Sequence, residues 1–188
     1  PFPRKDGSKI IVRPAVTYMI DNGFDESGML DISSDVFYAL PMDKWGSGAA
    51  KLEGFGVIFS LPTGEEKLGQ GEVTSLGASY VVGSLSAEEV SIFFPSHLQS
   101  VDEGDFGDTG KVSLTTIQVG RIWLPGGGWN FGTMPKIKYN WEADSGEEWT
   151  VPLNLSLGKT VVLAGRPWKF SVEADYFIEA PDNGPDFA

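Results

Sequence analysis

The sequence has no cysteine and a single histidine. Without thiols there is no disulfide framework, no thiolate metal site and no cysteine nucleophile. Positive charge is scarce: 14 Lys and Arg stand against 26 Asp and Glu, a net charge of −12. Neutralising a phosphate backbone needs the opposite surplus, so nucleic acid is not expected as a partner. No apolar run approaches the roughly 18 residues of a membrane helix. Helical periodicity is nearly absent, and its best candidate, Ser86 to Val90, is one turn long. Glycine and proline are plentiful instead: 24 Gly and 12 Pro in 188 residues exceed the usual combined share of about 12%. Aromatics reach 12%, with six Trp, which argues against disorder. The length fits one domain.

Period-two alternation, the mark of a strand with two unlike faces, recurs along the chain. In the last such stretch Trp168, Phe170, Val172, Ala174, Tyr176 and Ile178 alternate with Lys169, Ser171, Glu173, Asp175, Phe177 and Glu179. Before it, Trp149, Val151, Leu153, Leu155 and Leu157 alternate with Thr150, Pro152, Asn154, Ser156 and Gly158. Residues 131–141 set Phe131, Thr133, Pro135, Ile137, Tyr139 and Trp141 against Gly132, Met134, Lys136, Lys138 and Asn140. Residues 30–40 set Leu30, Ile32, Val36 and Tyr38 against Asp31, Ser33 and Asp35. Weaker strands are expected near 9–20, 49–61, 72–82, 90–101 and 111–124, with a bulge at Gly54/Gly56. The faces of 111–124 are mixed and left unassigned. Nine strands of roughly 10–14 residues result, longer than the average of about 5–6 and long enough to cross a bilayer at a tilt, which takes about 9–11.

The connections alternate as well. Long polar loops near 21–28, 62–71, 102–110 and 142–148 take turns with shorter ones near 41–48, 83–89, 125–130 and 163–167. An up-and-down barrel in an outer membrane has this rhythm. The expected fold is therefore all-β: an antiparallel up-and-down transmembrane β-barrel, with nine strands in view of 10–12. The polar faces supply the lumen-lining candidates Arg13, Asp31, Asp35, His97, Lys136, Lys138, Asn140, Glu142, Glu173 and Asp175. The apolar faces supply the lipid-facing girdle candidates Tyr18, Tyr38, Tyr80, Tyr139, Trp141, Trp149, Trp168 and Tyr176, because rings with a polar tip settle at membrane interfaces. A soluble sandwich or barrel with an aromatic core is the competing reading of the same alternation.

Few constellations suggest chemistry. Ser96 and His97 are adjacent on one strand, so they point to opposite faces and form no dyad; no enzyme is expected. Two acidic loops, 21–26 and 102–108, carry clustered carboxylates, with Asp102, Asp105 and Asp108 as weak calcium candidates. Neither has the spacing of a calcium-binding loop, so solvated loops are the plainer reading and no firm metal site is assigned. Pro125 to Gly128 lacks the ending of a phosphate-binding loop and reads as a tight turn. Lys136 and Lys138 share a face and could bias a lumen toward anions. Pairing with Glu173 and Asp175 is the plainer alternative, since unpaired charge in a narrow barrel is costly.

A longer pattern is more specific. Leu124-Pro125-Gly126-Gly127-Gly128-Trp129, then Pro135, Asn140-Trp141-Glu142-Ala143-Asp144-Ser145-Gly146, Trp149-Thr150-Val151-Pro152-Leu153 and Gly158-Lys159 follow in order. Ala180-Pro181-Asp182 and Gly184-Pro185-Asp186 close the chain, and Ile11-Val12-Arg13-Pro14 and Ser60-Leu61-Pro62-Thr63-Gly64 lie upstream. Together these segments resemble the bacterial outer-membrane β-barrel family labelled "transporter", "meta-pathway of phenol degradation" or "neuromedin U". The resemblance is strongest over 117–186. It implies an outer-membrane channel or uptake porin of loosely assigned substrate, and it carries over no functional residues. Members have a signal peptide and further strands before the matched part, and a last strand after it. A single barrel domain over 1–188, continued at both ends, is thus expected.

The functional expectation is a passive channel or uptake route for small molecules in a bacterial outer membrane, with membrane lipid as partner and no cofactor. A barrel plugged by its own side chains within a larger envelope assembly is the second reading, and a soluble ligand-binding barrel the third. Envelope partners and homo-oligomers stay open.

Overall fold

Thr, Val, Ile and aromatic residues alternating with small polar ones over stretches of a dozen residues leave the chain one economical solution, the extended ladder. The computed structural model describes residues 1–20, 26–42, 48–68, 73–102 and 111–182. Among these described residues there are thirteen strands: β1 (Phe2–Pro3), β2 (Lys9–Ala15), β3 (Tyr18–Met19), β4 (Gly28–Met29), β5 (Ile32–Ala39), β6 (Ala50–Leu61), β7 (Ser75–Leu85), β8 (Glu89–Ser100), β9 (Ser113–Gly126), β10 (Trp129–Thr133), β11 (Lys136–Asn140), β12 (Trp149–Leu163) and β13 (Arg166–Glu179). A short 3-10 turn covers Glu66–Leu68.

All pairing is antiparallel and follows chain order, β2–β5–β6–β7–β8–β9, then β10 and β11, then β12 and β13. β3 and β4 form a separate small hairpin. The all-β, up-and-down expectation holds. The expected strand 131–141 is broken into β10 and β11, which both lie between β9 and β12 and so close a small ring of pairings. The break falls at Met134-Pro135, where proline has no N–H for the ladder. The expected helical turn at Ser86–Val90 is instead the β7–β8 connection, in which Ser86 Oγ accepts the N–H groups of Glu88 and Glu89 at 3.2 and 3.0 Å. The expected bulge at Gly54/Gly56 is absent: β6 pairs in unbroken register with β5 and β7.

The sheet is strongly curled. Neighbouring strands are about 4.8 Å apart, so β5 and β8, three steps apart, would be about 14 Å apart if flat. Yet the rings of Phe37 and Phe94 meet edge to face at 5.4 Å. Arg13 on β2 reaches to 5.8 Å from the Phe94 ring, four steps around the wall. Glycines within the long strands allow this curvature. Gly54, Gly56, Gly77, Gly83, Gly120, Gly132 and Gly158 all occupy concave-side positions of the register, where an added Cβ would run into a neighbouring strand or side chain. Gly77 is the most crowded, against the His97 carbonyl. Among the described residues β2 and β13 pair with no further strand on their outer sides, apart from the short β1 against β2.

The two faces invert the arrangement of a water-soluble domain. Leu153, Leu155, Leu157 and Val172 are 58, 72, 54 and 74% exposed on the convex side. Among the described residues the buried hydrophobics are Phe37 and Val73, while Ser75, Ser79, Asn130 and Asn154 are buried polar groups on the concave side.

Candidate functional site

The concave face assembles two polar clusters. The first is on β2 and β5, whose register places Arg13 opposite Asp35 and Ile11 opposite Phe37. Arg13 Nη2 donates to Asp35 Oδ2 at 2.5 Å, and the guanidinium lies 4.9 Å from the Phe37 ring. Gly56 faces Phe37 in register and leaves the space that its ring fills. Behind Arg13 is an apolar cavity of about 140 Å³ whose lining includes Ile11, Phe37, Val81 and Phe94. The cation thus joins two walls of the barrel.

The second cluster follows from the strand break. With the ladder interrupted at Pro135, the Met134 N–H finds a side-chain acceptor, Asn154 Oδ1 at 2.7 Å. Asn154 is only 4% exposed. Its amide nitrogen donates to Glu173 Oε1 at 2.8 Å and to Asp175 Oδ1 at 2.7 Å, because β13 sets Asp175 opposite Asn154 and Glu173 opposite Ser156. Lys136 and Lys138 stand on the same face of β11. The six side chains of Lys136, Lys138, Thr150, Asn154, Glu173 and Asp175, with Met134, Pro152 and Phe177, line one cavity of about 160 Å³. Among the described residues neither lysine makes an ion pair.

Other candidates lie elsewhere. His97 is not on the concave face. It pairs with Ala78 and Thr115 on the convex side, where its Nδ1 lies 2.9 Å from Thr115 Oγ1 and Trp141 Nε1 donates to the same oxygen at 2.9 Å. Near the long-loop end convex positions turn polar, so polarity there does not mark the interior. Asp31 precedes β5 and accepts the Thr63 and Gly64 N–H groups at 3.1 and 2.8 Å, tying a loop at the rim. Asn140 ends β11 at the rim, and Glu142 is exposed in the following turn, its N–H donating to Asn140 Oδ1 at 3.1 Å. Ser96 is concave and distinct in face from His97. Asp102 accepts the Thr74 N–H through both oxygens at 2.9 and 3.1 Å. Asp105 and Asp108 lie outside the described residues, as does most of the 21–26 loop. Among the described residues no three His, Asp or Glu converge as a metal site.

Of the aromatic candidates, Tyr38, Tyr80, Tyr139, Trp149, Trp168 and Tyr176 are on the convex side by register, and Trp141 lies two residues beyond Tyr139, just past the end of β11. Tyr18 is not part of the wall; it belongs to the β3–β4 hairpin, with its hydroxyl 3.5 Å from Ser27 Oγ. At the long-loop end Tyr139 meets Trp141 and Trp149 edge to face at 4.7 and 4.8 Å. At the short-turn end Trp123 stacks on Phe131 at 5.5 Å, and Lys159 Nζ stands 4.4 Å from the Trp129 ring. This second aromatic group was missed in the sequence because the faces of β9 could not be told apart; pairing resolves them, with Thr115, Ile117, Val119, Arg121 and Trp123 outward. Asn154, Phe37 and Phe94 were missed too. For Asn154 the available signal was its place between Leu153 and Leu155, on the face opposite the leucines.

No family model, no curated protein and no solved structure matches this chain.

Proposed function

We propose that this protein is an outer-membrane β-barrel that carries small solutes through its polar interior. The observation that supports this best is the inverted arrangement: leucine, valine and aromatic side chains exposed on the convex face, and buried serine and asparagine with the Arg13, Asp35, Glu173 and Asp175 side chains on the concave one. In water such a surface would drive association; in lipid it is the low-energy face. Dimensions agree. Trp149 and Lys159 are ten residues apart on β12, about 33 Å of extended chain. At a strand tilt of about 40° this spans about 25 Å, the height of an outward apolar band. The resemblance of 117–186 to the outer-membrane family points the same way.

Planar-bilayer recording on the refolded full chain tests the channel reading, which predicts discrete conductance steps; silence at every voltage would sink it. A monodisperse protein in plain buffer would sink the membrane reading. A specific contact favours a second reading, a barrel shut by its own side chains: Arg13, paired with Asp35 and packed on Phe37 and Phe94, bridges two walls. Its expected signature is a silent wild type that conducts once Arg13 is truncated.

A further inference from the structure

We infer that the β11–β12–β13 cavity binds a small zwitterion, of the class of the short α-amino acids. The inference deepens the transport reading by naming a solute, although the cavity's chemistry stands whether or not the barrel conducts.

The floor of the cavity is β12, represented by Thr150, Pro152 and Asn154. β11 and β13 flank it on opposite sides, about 10 Å apart across β12. Charges are therefore sorted by wall: Lys136 and Lys138 on one, Glu173 and Asp175 on the other. The carboxylates are oriented by the Asn154 amide, each of whose two N–H donors serves one of them. This amide is itself fixed by the Met134 N–H. Two carboxylates held on one nitrogen repel each other and favour a cation between their remaining lone pairs. The lysines are exposed to the cavity and carry no ion pair among the described residues. An ammonium against Glu173 and Asp175 and a carboxylate against Lys136 and Lys138 would neutralise both walls with one solute.

Size fits the class. A cavity of about 160 Å³ equals the liquid volume of about five waters, at about 30 Å³ each. That is room enough for glycine or alanine. A net cation or net anion would satisfy one wall and meet the repulsion of the other.

Equilibrium dialysis of radiolabelled glycine and alanine against the refolded full chain in detergent micelles tests this. Saturable binding at one site is expected, with acetate and methylammonium, each half of the ligand's charge, at least tenfold weaker as competitors. The double variants Glu173→Gln/Asp175→Asn and Lys136→Gln/Lys138→Gln are each expected to weaken alanine binding tenfold or more, with an unchanged near-ultraviolet spectrum. No saturable binding by the wild type overturns the inference. So does equal competition by acetate or methylammonium, a comparison that needs no variant. Saturable binding in a barrel without conductance keeps the site and removes only the channel; conductance without binding removes this inference alone.

Discussion

Asn154 shows how one residue can serve backbone and site together. It completes the ladder where Pro135 breaks it and holds two carboxylates with its remaining donors. Asn154→Ala leaves the half-buried Met134 N–H without its acceptor, where a fully buried orphan would cost about 1–3 kcal/mol. The expected result is a loss of that order in urea unfolding of the refolded chain, and a variant as stable as wild type would show that Asn154 is peripheral. Arg13 belongs to the same scale. Its pair with Asp35 is half exposed to the interior, so the ion pair itself contributes little, within about 1 kcal/mol. In the proposed channel Arg13 would narrow the path, and Arg13→Ala is expected to raise single-channel conductance with little change in stability.

At the scale of the element, curvature and loop ties carry the consequences. Gly77 faces the His97 carbonyl so closely that a β-carbon has no room, and Gly77→Val is expected to abolish refolding, read as loss of the compact, heat-modifiable band on a gel. Glycine in a strand usually marks such a close approach or bend. Away from the long strands, Glu65 joins the β3–β4 hairpin to the loop after β6. Its carboxylate accepts the Met29 N–H at 3.0 Å and pairs with Lys67 at 3.0 Å. The Met29 N–H, and next the Lys67 ammonium, hold the Glu65 carboxyl below the usual glutamate range. A depressed carboxylate stabilises the fold above its unfolded pKa of about 4.3, and this contribution disappears as pH falls through the lower folded value. The protection of the Met29 amide, its exchange rate relative to the intrinsic rate at the same pH, is therefore expected to fall below about pH 4, and Glu65→Gln to remove that change in protection. Protection at Met29 that stays constant across this pH range would mean the tie does not form.

At the scale of the whole molecule the outward band is decisive. Trp123, Trp129, Trp141, Trp149 and Trp168 are 37, 47, 61, 47 and 53% exposed. In vesicles they are expected to be strongly quenched by lipids brominated along the acyl chain. Fluorescence indifferent to brominated lipid would contradict a lipid-facing convex side.

Much of this was legible in the sequence. Trp149 to Leu157 and Trp168 to Ile178 declared their strands and their faces through strict alternation, since neighbouring strand side chains point to opposite sides. Lys136, Lys138, Glu173 and Asp175 could be placed on polar faces in the same way. What alternation does not hold is depth along the strand. His97 and Asp31 read as polar-face residues, but near the rim both faces are polar, and one turned outward while the other tied a loop. The break at Pro135 was visible as a proline, yet its repair by Asn154 depended on β12 lying alongside. The sequence by itself determined an all-β meander with one apolar face, because side-chain period and turn chemistry act locally. Only the tertiary structure decided which face is concave, and which distant charges meet across β12. Curvature and register are properties of paired strands, and no single segment contains them.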